Sequence, residues 1–437
     1  MQLSNYQNIY FLGIKGAGMT ALAQVLKKMG KNVWGSDIPE VFFTDQVLKK
    51  AKIKVLTPFS PKHISDDIDL LVYSTGYTEQ NVEFGEAKKK KISMISYPEA
   101  LGLLFKNHYG IAVCGTHGKT TTTALLGFVL QELGLDPTVI VGSDVPQLGG
   151  SARLGQSKYL VIEADEYQNK LQYYTPQAII LTSADWDHPD YFKNQTAYSQ
   201  VFEDFVRRLP ANGLLVAWGD DCKVRDIITA TKARVVTYGI EQDNNYHLNQ
   251  SVELQLIGQH NQLNAAAVLA LTDQLGLDQK KVRVALARFK GTKRRFELLG
   301  KKKGVAVYDD YAHHPVEIAK TLAAMRAHFG GHKIWAVFQS HTFTRTIALF
   351  KDFGRAFGDA DQVMVLDIFS SAREIQGKIT AADLVKEINK NSANALYVGH
   401  ITKTAAYLAK KVKPGDIVVT LGAGENWKVG VELLKKI

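Results

Sequence analysis

Cys114-Gly115-Thr116-His117-Gly118-Lys119-Thr120-Thr121-Thr122-Thr123 is the stretch that decides the fold of this 437-residue chain. It follows the apolar run Ile111-Ala112-Val113 and opens a run of helix formers from Ala124 to Leu133. Strand, glycine turn and helix, in that order, form the setting in which Gly-Lys-Thr reads as a phosphate site. Glycines let backbone N–H groups crowd around phosphate oxygens, and the helix N-terminus adds partial positive charge. Lys119 is expected to reach the outer phosphates and the Thr120 hydroxyl to meet Mg²⁺. Gly115, Thr116, His117, Gly118 and Thr121 would surround the anion. The usual loop begins with a glycine where Val113 stands, so this is a shortened form, G-T-x-G-K-T. ATP is the expected ligand.

Working outward, length suggests three domains at roughly 150 residues each. An apolar fraction of 46% and a charged fraction of 22% are those of a soluble globular protein with ample core. No apolar run approaches the ~20 residues of a membrane helix. The N-terminus, Met1 to Asn5, has no basic n-region, so neither a span nor a secretion signal is expected. Two cysteines, Cys114 and Cys222, make no disulfide framework and suit a reducing cytoplasm. The formal charge of +10 invites nucleic acid as a partner. Its densest runs, Lys88–Lys91 and Lys301–Lys303, are short and are expected in turns or helix ends facing solvent. A basic balance equally suits anionic small substrates such as nucleotides. A nucleic-acid motor built on the phosphate loop is the reading from another class. It would require ATP turnover stimulated by DNA or RNA and weakened by salt.

Upstream, Ile9 to Leu12 reads as a first strand, Gly13-Ile14-Lys15-Gly16-Ala17-Gly18 leads into a helix, and Asn32 to Gly35 is the next strand, closing on Ser36-Asp37. This is the order of a dinucleotide-binding βαβ unit, but Lys15 stands where the fingerprint needs the glycine that admits a pyrophosphate. A nicotinamide site is therefore disfavoured. A diphosphate at the Gly16–Gly18 turn, helped by Lys15, is retained. A strand from Leu70 to Tyr73 ends in Ser74-Thr75.

Downstream, Tyr159 to Ile162 runs into Glu163-Ala164-Asp165-Glu166, and Ala178 to Leu181 into a stretch ending Asp187-His188. Ligands of open α/β sheets sit beyond the carboxyl ends of the strands. Glu163 and His188 are thus candidates for Mg²⁺ ligation, the alternative being helix caps or surface turns. Asn244 to Ile257 alternates as β-structure, and His260-Asn261 opens an alanine-rich helix. After Arg294-Arg295, strand–helix alternation resumes. Two strand ends carry Asp309-Asp310-Tyr311-Ala312-His313-His314-Pro315 and Gln339-Ser340-His341-Thr342-Phe343-Thr344-Arg345, which read as a substrate site or as polar surface loops. The expected fold is α/β in three domains, 1–106, 107–291 and 292–437: a Rossmann-like N-terminal domain, a P-loop ATPase domain and a Rossmann-like C-terminal domain.

These motifs, in this order, resemble those of the Mur ligases, the ATP-dependent amino-acid ligases of peptidoglycan synthesis. The resemblance implies an N-terminal domain for a UDP-sugar, a central ATPase domain and a C-terminal domain that brings the amino acid. It implies an acyl-phosphate route, with the small-molecule substrates ATP, UDP-N-acetylmuramate and L-alanine, and Mg²⁺. No nucleic acid and no membrane are implied, and the state would be monomer or homodimer. By resemblance Lys119 binds phosphate, Thr120 and Glu163 hold one Mg²⁺, and His188 holds a second. His260 and Asn261 border the adenine, and Arg295 and Asp310 reach the nucleotide. Gly16, Ala17, Gly18, Met19, Ser36, Asp37, Ser74 and Thr75 take the UDP-sugar, and His314, His341 and Arg345 line the amino-acid pocket.

Departures accompany the matches. Thr342 stands where the family has an arginine, and a threonine cannot supply a bidentate fork to a carboxylate. Arg345 is then expected to carry that recognition. Ser371-Ala372-Arg373-Glu374 replaces a run that usually reads Ala-Gly-Glu. No lysine lies between Lys193 and Lys223, where several family members carry a carbamylated one, as expected of the alanine-adding branch. A tripeptide ligase of cell-wall recycling is the alternative within the family.

Overall fold

The computed structural model describes residues 2–248, 251–370, 377–392 and 394–437. Three sheets follow one another along the chain. The first is wholly parallel: β1 (Asn8–Leu12), β2 (Asn32–Ser36), β3 (Lys54–Leu56), β4 (Leu70–Tyr73) and β5 (Ser93–Ser96) lie in the order β3-β2-β1-β4-β5. Such sheets are covered on both faces, which is why Ile9, Tyr10, Phe11 and Leu12 form an unbroken buried run. The order reverses at β1, and helix α1 (Ala17–Lys28) starts beyond its carboxyl end.

The second sheet contains β6 (Tyr109–Cys114), β7 (Thr138–Val145), β8 (Gly150–Arg153), β9 (Tyr159–Glu163), β10 (Ala178–Leu181), β11 (Leu214–Trp218), β12 (Arg234–Gly239) and β13 (Tyr246–His247). Their order is β13-β12-β11-β10-β6-β9-β7-β8, parallel except for the β7–β8 pair. Val113 is a ladder residue of β6, opposite Glu163 on one side and Ile180 on the other. The strand therefore runs through the place where the usual loop has its first glycine, and the loop is shortened for that reason. Helix α2 (Lys119–Glu132) follows, and a further helix, α3, spans Gln259–Gln274.

The third sheet contains β14 (Glu297–Lys302), β15 (Val305–Asp310), β16 (Ile334–Phe338), β17 (Gln362–Leu366), β18 (Ala395–Gly399) and β19 (Ile417–Leu421), in the order β14-β15-β19-β16-β17-β18. Only β14 is antiparallel to its neighbour. Helices α4 (Pro315–Phe329) and α5 (Phe343–Ala348) begin beyond the ends of β15 and β16. Contacts divide the chain into two compact units. One holds 1–184, 199–252 and 264–289, with the first two sheets; the other holds 185–198, 253–263 and 290–437, with the third.

Three expectations are corrected. The alternation from Asn244 to Ile257 yields only the two-residue β13, because beyond it the chain finds no ladder to join among the described residues. Lys301 and Lys302 lie on the edge strand β14 rather than in a turn, where exposed charge discourages pairing with another chain. Lys15 does not face a ligand. Its side chain is buried, and its Nζ donates to the carbonyls of Ile38 (3.0 Å) and Glu40 (2.8 Å) and pairs with Asp45 at 3.2 Å, so it braces the loop after β2. The Ser371–Glu374 departure lies outside the described residues.

Candidate active site

In the first unit the phosphate loop is shaped by what presses on it. Gly115 has φ +126°, and a Cβ there would lie 2.7 Å from the carbonyl oxygen of Ser183. Gly118 has φ +80°, and its Cβ would lie 2.6 Å from Asn264 Oδ1. Both positions require glycine. Ser183 Oγ accepts from the His117 N–H at 2.9 Å, and Thr182 Oγ1 donates to the His117 carbonyl at 2.5 Å, so the end of β10 holds the loop closed. Thr122 Oγ1 donates to Asn264 Oδ1 at 3.1 Å, tying α2 to α3.

Lys119 Nζ donates to the carbonyls of Gly115 (2.5 Å) and Thr116 (3.1 Å) and to Glu166 Oε2 (3.0 Å). Burial opposes its charge, but Glu166, Asp165 and Glu163 outweigh burial and hold the amine above its ordinary range, firmly protonated. Thr120 Oγ1 donates to Glu163 Oε1 at 2.7 Å, and the Gly142 N–H donates to Glu163 Oε2 at 2.6 Å. A cleft of about 310 Å³ in this unit brings Gly16–Met19, Ser74 and Thr75 together with Lys119 and Glu163. Ser36 and Asp37 are engaged otherwise. Ser36 Oγ donates to the buried Glu83, while Asp37 accepts from the N–H groups of Lys15 (2.7 Å) and Ile38 (2.9 Å).

In the second unit the centre is a buried ion pair. Arg345 Nε and Nη2 donate to the two Asp187 oxygens at 2.8 and 3.3 Å, and Nη1 donates to the His341 carbonyl at 2.5 Å. Burial works against the Asp187 carboxylate, yet Arg345, with His188 and His313, holds it well below the usual range. Arg345 is therefore already committed to Asp187, where the sequence led us to expect it available for a substrate carboxylate. His188 follows with φ +55°, a left-handed conformation that side-chain-bearing residues adopt at a cost and that clusters at functional sites.

His314 caps α4: its Nδ1 accepts from the Val316 N–H at 3.3 Å, which assigns Nε2–H as donor to the Trp186 carbonyl, also at 3.3 Å. His313 is driven down to about 3, chiefly by burial, and is neutral. His341 stacks on Phe369 with ring centroids 5.2 Å apart. Asp310 accepts from the N–H groups of Ala312 (2.7 Å) and Phe296 (2.8 Å), and burial raises its carboxyl to about 6 against the pull of Arg295. The Arg295 guanidinium lies 5.1 Å over the Tyr311 ring.

His260 accepts at Nε2 from Asn261 Nδ2 (3.2 Å), which also donates to the Ile257 carbonyl at 2.7 Å. Burial, then Lys320, lowers His260 from 6.5 to about 4. The unfolded chain takes up the proton first as pH falls, so stability present above pH 6.5 is lost progressively down to about 4. The slope is up to about 1.4 kcal/mol per pH unit from this group. Denaturant midpoints measured across that window should fall less steeply for His260→Gln; equal slopes would remove the assignment.

Sequence reasoning missed Asp187 as the partner of Arg345, and Glu166 as the partner of Lys119. Glu166 could have been found, since it closes the same acidic run as Glu163. Nothing local marks Asp187, which is 158 residues from Arg345.

A phosphate loop at the switch point of a doubly wound sheet, in a chain that carries two further α/β sheets with polar residues at their strand ends, defines a nucleotide-dependent enzyme of modular α/β build. Residues 8–109, 113–272 and 294–424 match, in turn, the Mur ligase family catalytic domain, the Mur ligase middle domain and the Mur ligase glutamate ligase domain. The chain belongs to the Mur ligase family. The UDP-N-acetylmuramate–L-alanine ligase of Desulfitobacterium hafniense is 40% identical over 98% of this chain and 99% of its own. That of Caldanaerobacter subterraneus is 36% identical over 100% and 99%. The crystal structure of the UDP-N-acetylmuramate-alanine ligase of Thermotoga maritima is similar with a TM-score of 0.83, at 27% identity and 99% coverage of each chain. A murein peptide ligase from Psychrobacter arcticus shares the fold, with a TM-score of 0.71 at 22% identity over 98% of each chain.

Proposed function

We propose that this chain is an ATP-dependent ligase that joins L-alanine to the carboxylate of UDP-N-acetylmuramate through an acyl phosphate, in cytoplasmic peptidoglycan precursor synthesis. The observation that carries the reading is the first unit's cleft, in which one helix N-terminus and one phosphate loop share a single space. Relatives bearing that activity in their names, 36% and 40% identical across the whole chain, support it. The domain roles follow: 1–106 for the UDP-sugar, 107–291 for ATP and 292–437 for the amino acid.

A carboxylate is a poor acylating agent, so the γ-phosphoryl of ATP is first moved onto it. The alanine amine then attacks the carbonyl, and phosphate leaves. Such a transfer needs positioning and charge neutralisation more than a protein nucleophile. Gly16–Met19 with Ser74 and Thr75 take the diphosphate of the sugar nucleotide, using the N-terminus of α1. The loop amides and Lys119 take the nucleotide phosphates, His260 and Asn261 border the base, and Arg295 and Asp310 serve the same nucleotide. His314 and His341 line the alanine pocket, and Arg345, through Asp187, fixes the loop that carries His188.

Magnesium prefers oxygen ligands and keeps several waters. Thr120 Oγ1 and Glu163 Oε1, 2.7 Å apart, offer that donor chemistry and are assigned one ion, with His188 assigned to a second. When bound, the metal supplies neutralisation of phosphate charge.

Phosphate release from ATP in the presence of UDP-N-acetylmuramate should depend on L-alanine, with L-serine and glycine poorer. Release that depends instead on the tripeptide Ala-γ-Glu-diaminopimelate would move the chain to the recycling ligases. Turnover stimulated only by nucleic acid would sink the ligase reading.

A further inference from the structure

The segment after β9 contains a feature that the phosphate loop does not call for. Within Tyr167–Tyr173, Gln168 and Asn169 take left-handed backbone angles in succession, φ 57° and 53°. Neither is glycine, and two such residues in a row persist only where the surroundings hold them. Directly after this kink Lys170 lines the cleft, its side chain 14% exposed. Its ammonium pairs with Asp165 and lies 5.3 Å over the Tyr167 ring.

Lys119 and Lys170 are the two cationic side chains among the residues lining that cleft. Lys119 is held by the phosphate loop. Lys170 has as its charged partner Asp165, whose carboxylate is 42% exposed and so can turn to water when another anion takes its place. The phenol of Tyr97 also lines the cleft: a Cβ on Gly18 would sit 2.6 Å from its Cζ, and burial, then Asp165 and Glu163, make it a weaker acid that keeps its proton. Asp165, Lys170, Glu163 and the start of α1 all line this one cleft.

We propose that Lys170 is the receptor for the carboxylate of the acyl substrate, which displaces Asp165 from it. The inference rests on the functional reading above. In that reaction a carboxylate and a terminal phosphoryl group, both anionic, must come into contact. Their repulsion opposes that contact, and an ammonium beside the carboxylate offsets it before any bond forms. The diphosphate of the same substrate has backbone amides and a helix terminus to meet it.

The test compares binding of UDP-N-acetylmuramate with that of UDP-N-acetylglucosamine, which has the same diphosphate and no carboxylate, by calorimetry without ATP or amino acid. Lys170→Met should weaken the first by about ten- to a hundredfold, the value of one charge-assisted hydrogen bond. The second should be unchanged, and Lys170→Arg should restore most of the loss. Lys170→Gln carries the same comparison if the methionine variant does not fold. An equal loss for both nucleotides would place Lys170 on the diphosphate and overturn the proposal. Unchanged binding of both would leave Lys170 as a brace for Asp165, and overturn it too. A wild type that binds neither nucleotide removes the functional reading itself.

Discussion

Arg345→Ala is expected to lower stability at pH 7 by about 3–5 kcal/mol, the usual consequence of removing one partner from a buried ion pair. Both side chains of the pair are only 7% exposed. The guanidinium grips both Asp187 oxygens, and the His188 N–H donates to Oδ1 at 2.6 Å. Without Arg345 the carboxylate keeps its burial and loses its cation. The pH dependence has a definite sign. Burial disfavours the ionised form of Asp187, but Arg345 overrides it, so the folded value lies well below the unfolded one. The stabilisation is therefore present above about pH 4, the unfolded carboxyl value, and is lost as pH falls through the folded value. In Arg345→Ala the carboxyl is left to burial and takes up a proton more readily than in the unfolded chain. The difference between variant and wild type should accordingly shrink on acidification. Arg345→Lys should recover only part of the loss, because an ammonium cannot match both oxygens. Denaturant unfolding at pH 7 and below pH 4 decides it, and equal stability of Arg345→Ala and wild type at pH 7 would show that the pair does not hold this region. Activity should fall with stability, since the Asp187–His188 turn is fixed by the same contact.

The strands that were legible are the ones buried on both faces. Leu70–Tyr73 and Ala178–Leu181 are short apolar runs followed by polar residues, and each lies where its run predicts. Edge elements were not legible. Glu297–Lys302 pairs on one side only and carries lysines, and Ser93–Ser96 has just two apolar residues, so neither gives a hydrophobic period to read. The alternation after Asn244 misled for the opposite reason: a period of two indicates a strand only if a neighbour supplies the ladder. The candidate site shows the same division. The glycine loop and Glu163 could be read because phosphate chemistry fixes spacing within one turn. Lys15 shows the limit, since its loss of the fingerprint glycine was visible but its partners, 23 and 25 residues on, were not. Lys170 was not legible because the two left-handed residues before it, neither a glycine, leave no mark in the sequence.

Lys119→Ala should cost at least about 10²–10³ in kcat for ATP-dependent phosphate release, the loss expected when one preorganised charge is removed from a phosphoryl-transfer site. The expectation rests on position. Lys119 opens α2 directly after a glycine that nothing larger can replace, and its ammonium is kept protonated by Glu166, Asp165 and Glu163. Its charge is therefore available at any pH at which the enzyme works. The same contacts predict a second effect. Glu166 is fully buried, and its Oε2 lies 3.0 Å from the ammonium, so Lys119→Ala should be less stable than wild type as well as less active. The two effects separate by ligand. Binding of UDP-N-acetylmuramate, measured without ATP at a temperature where the variant is folded, should survive, because Gly16–Met19, Ser74 and Thr75 are untouched. ATP-dependent turnover should not. A folded Lys119→Ala protein that releases phosphate at close to the wild-type rate would take the phosphate site away from this loop.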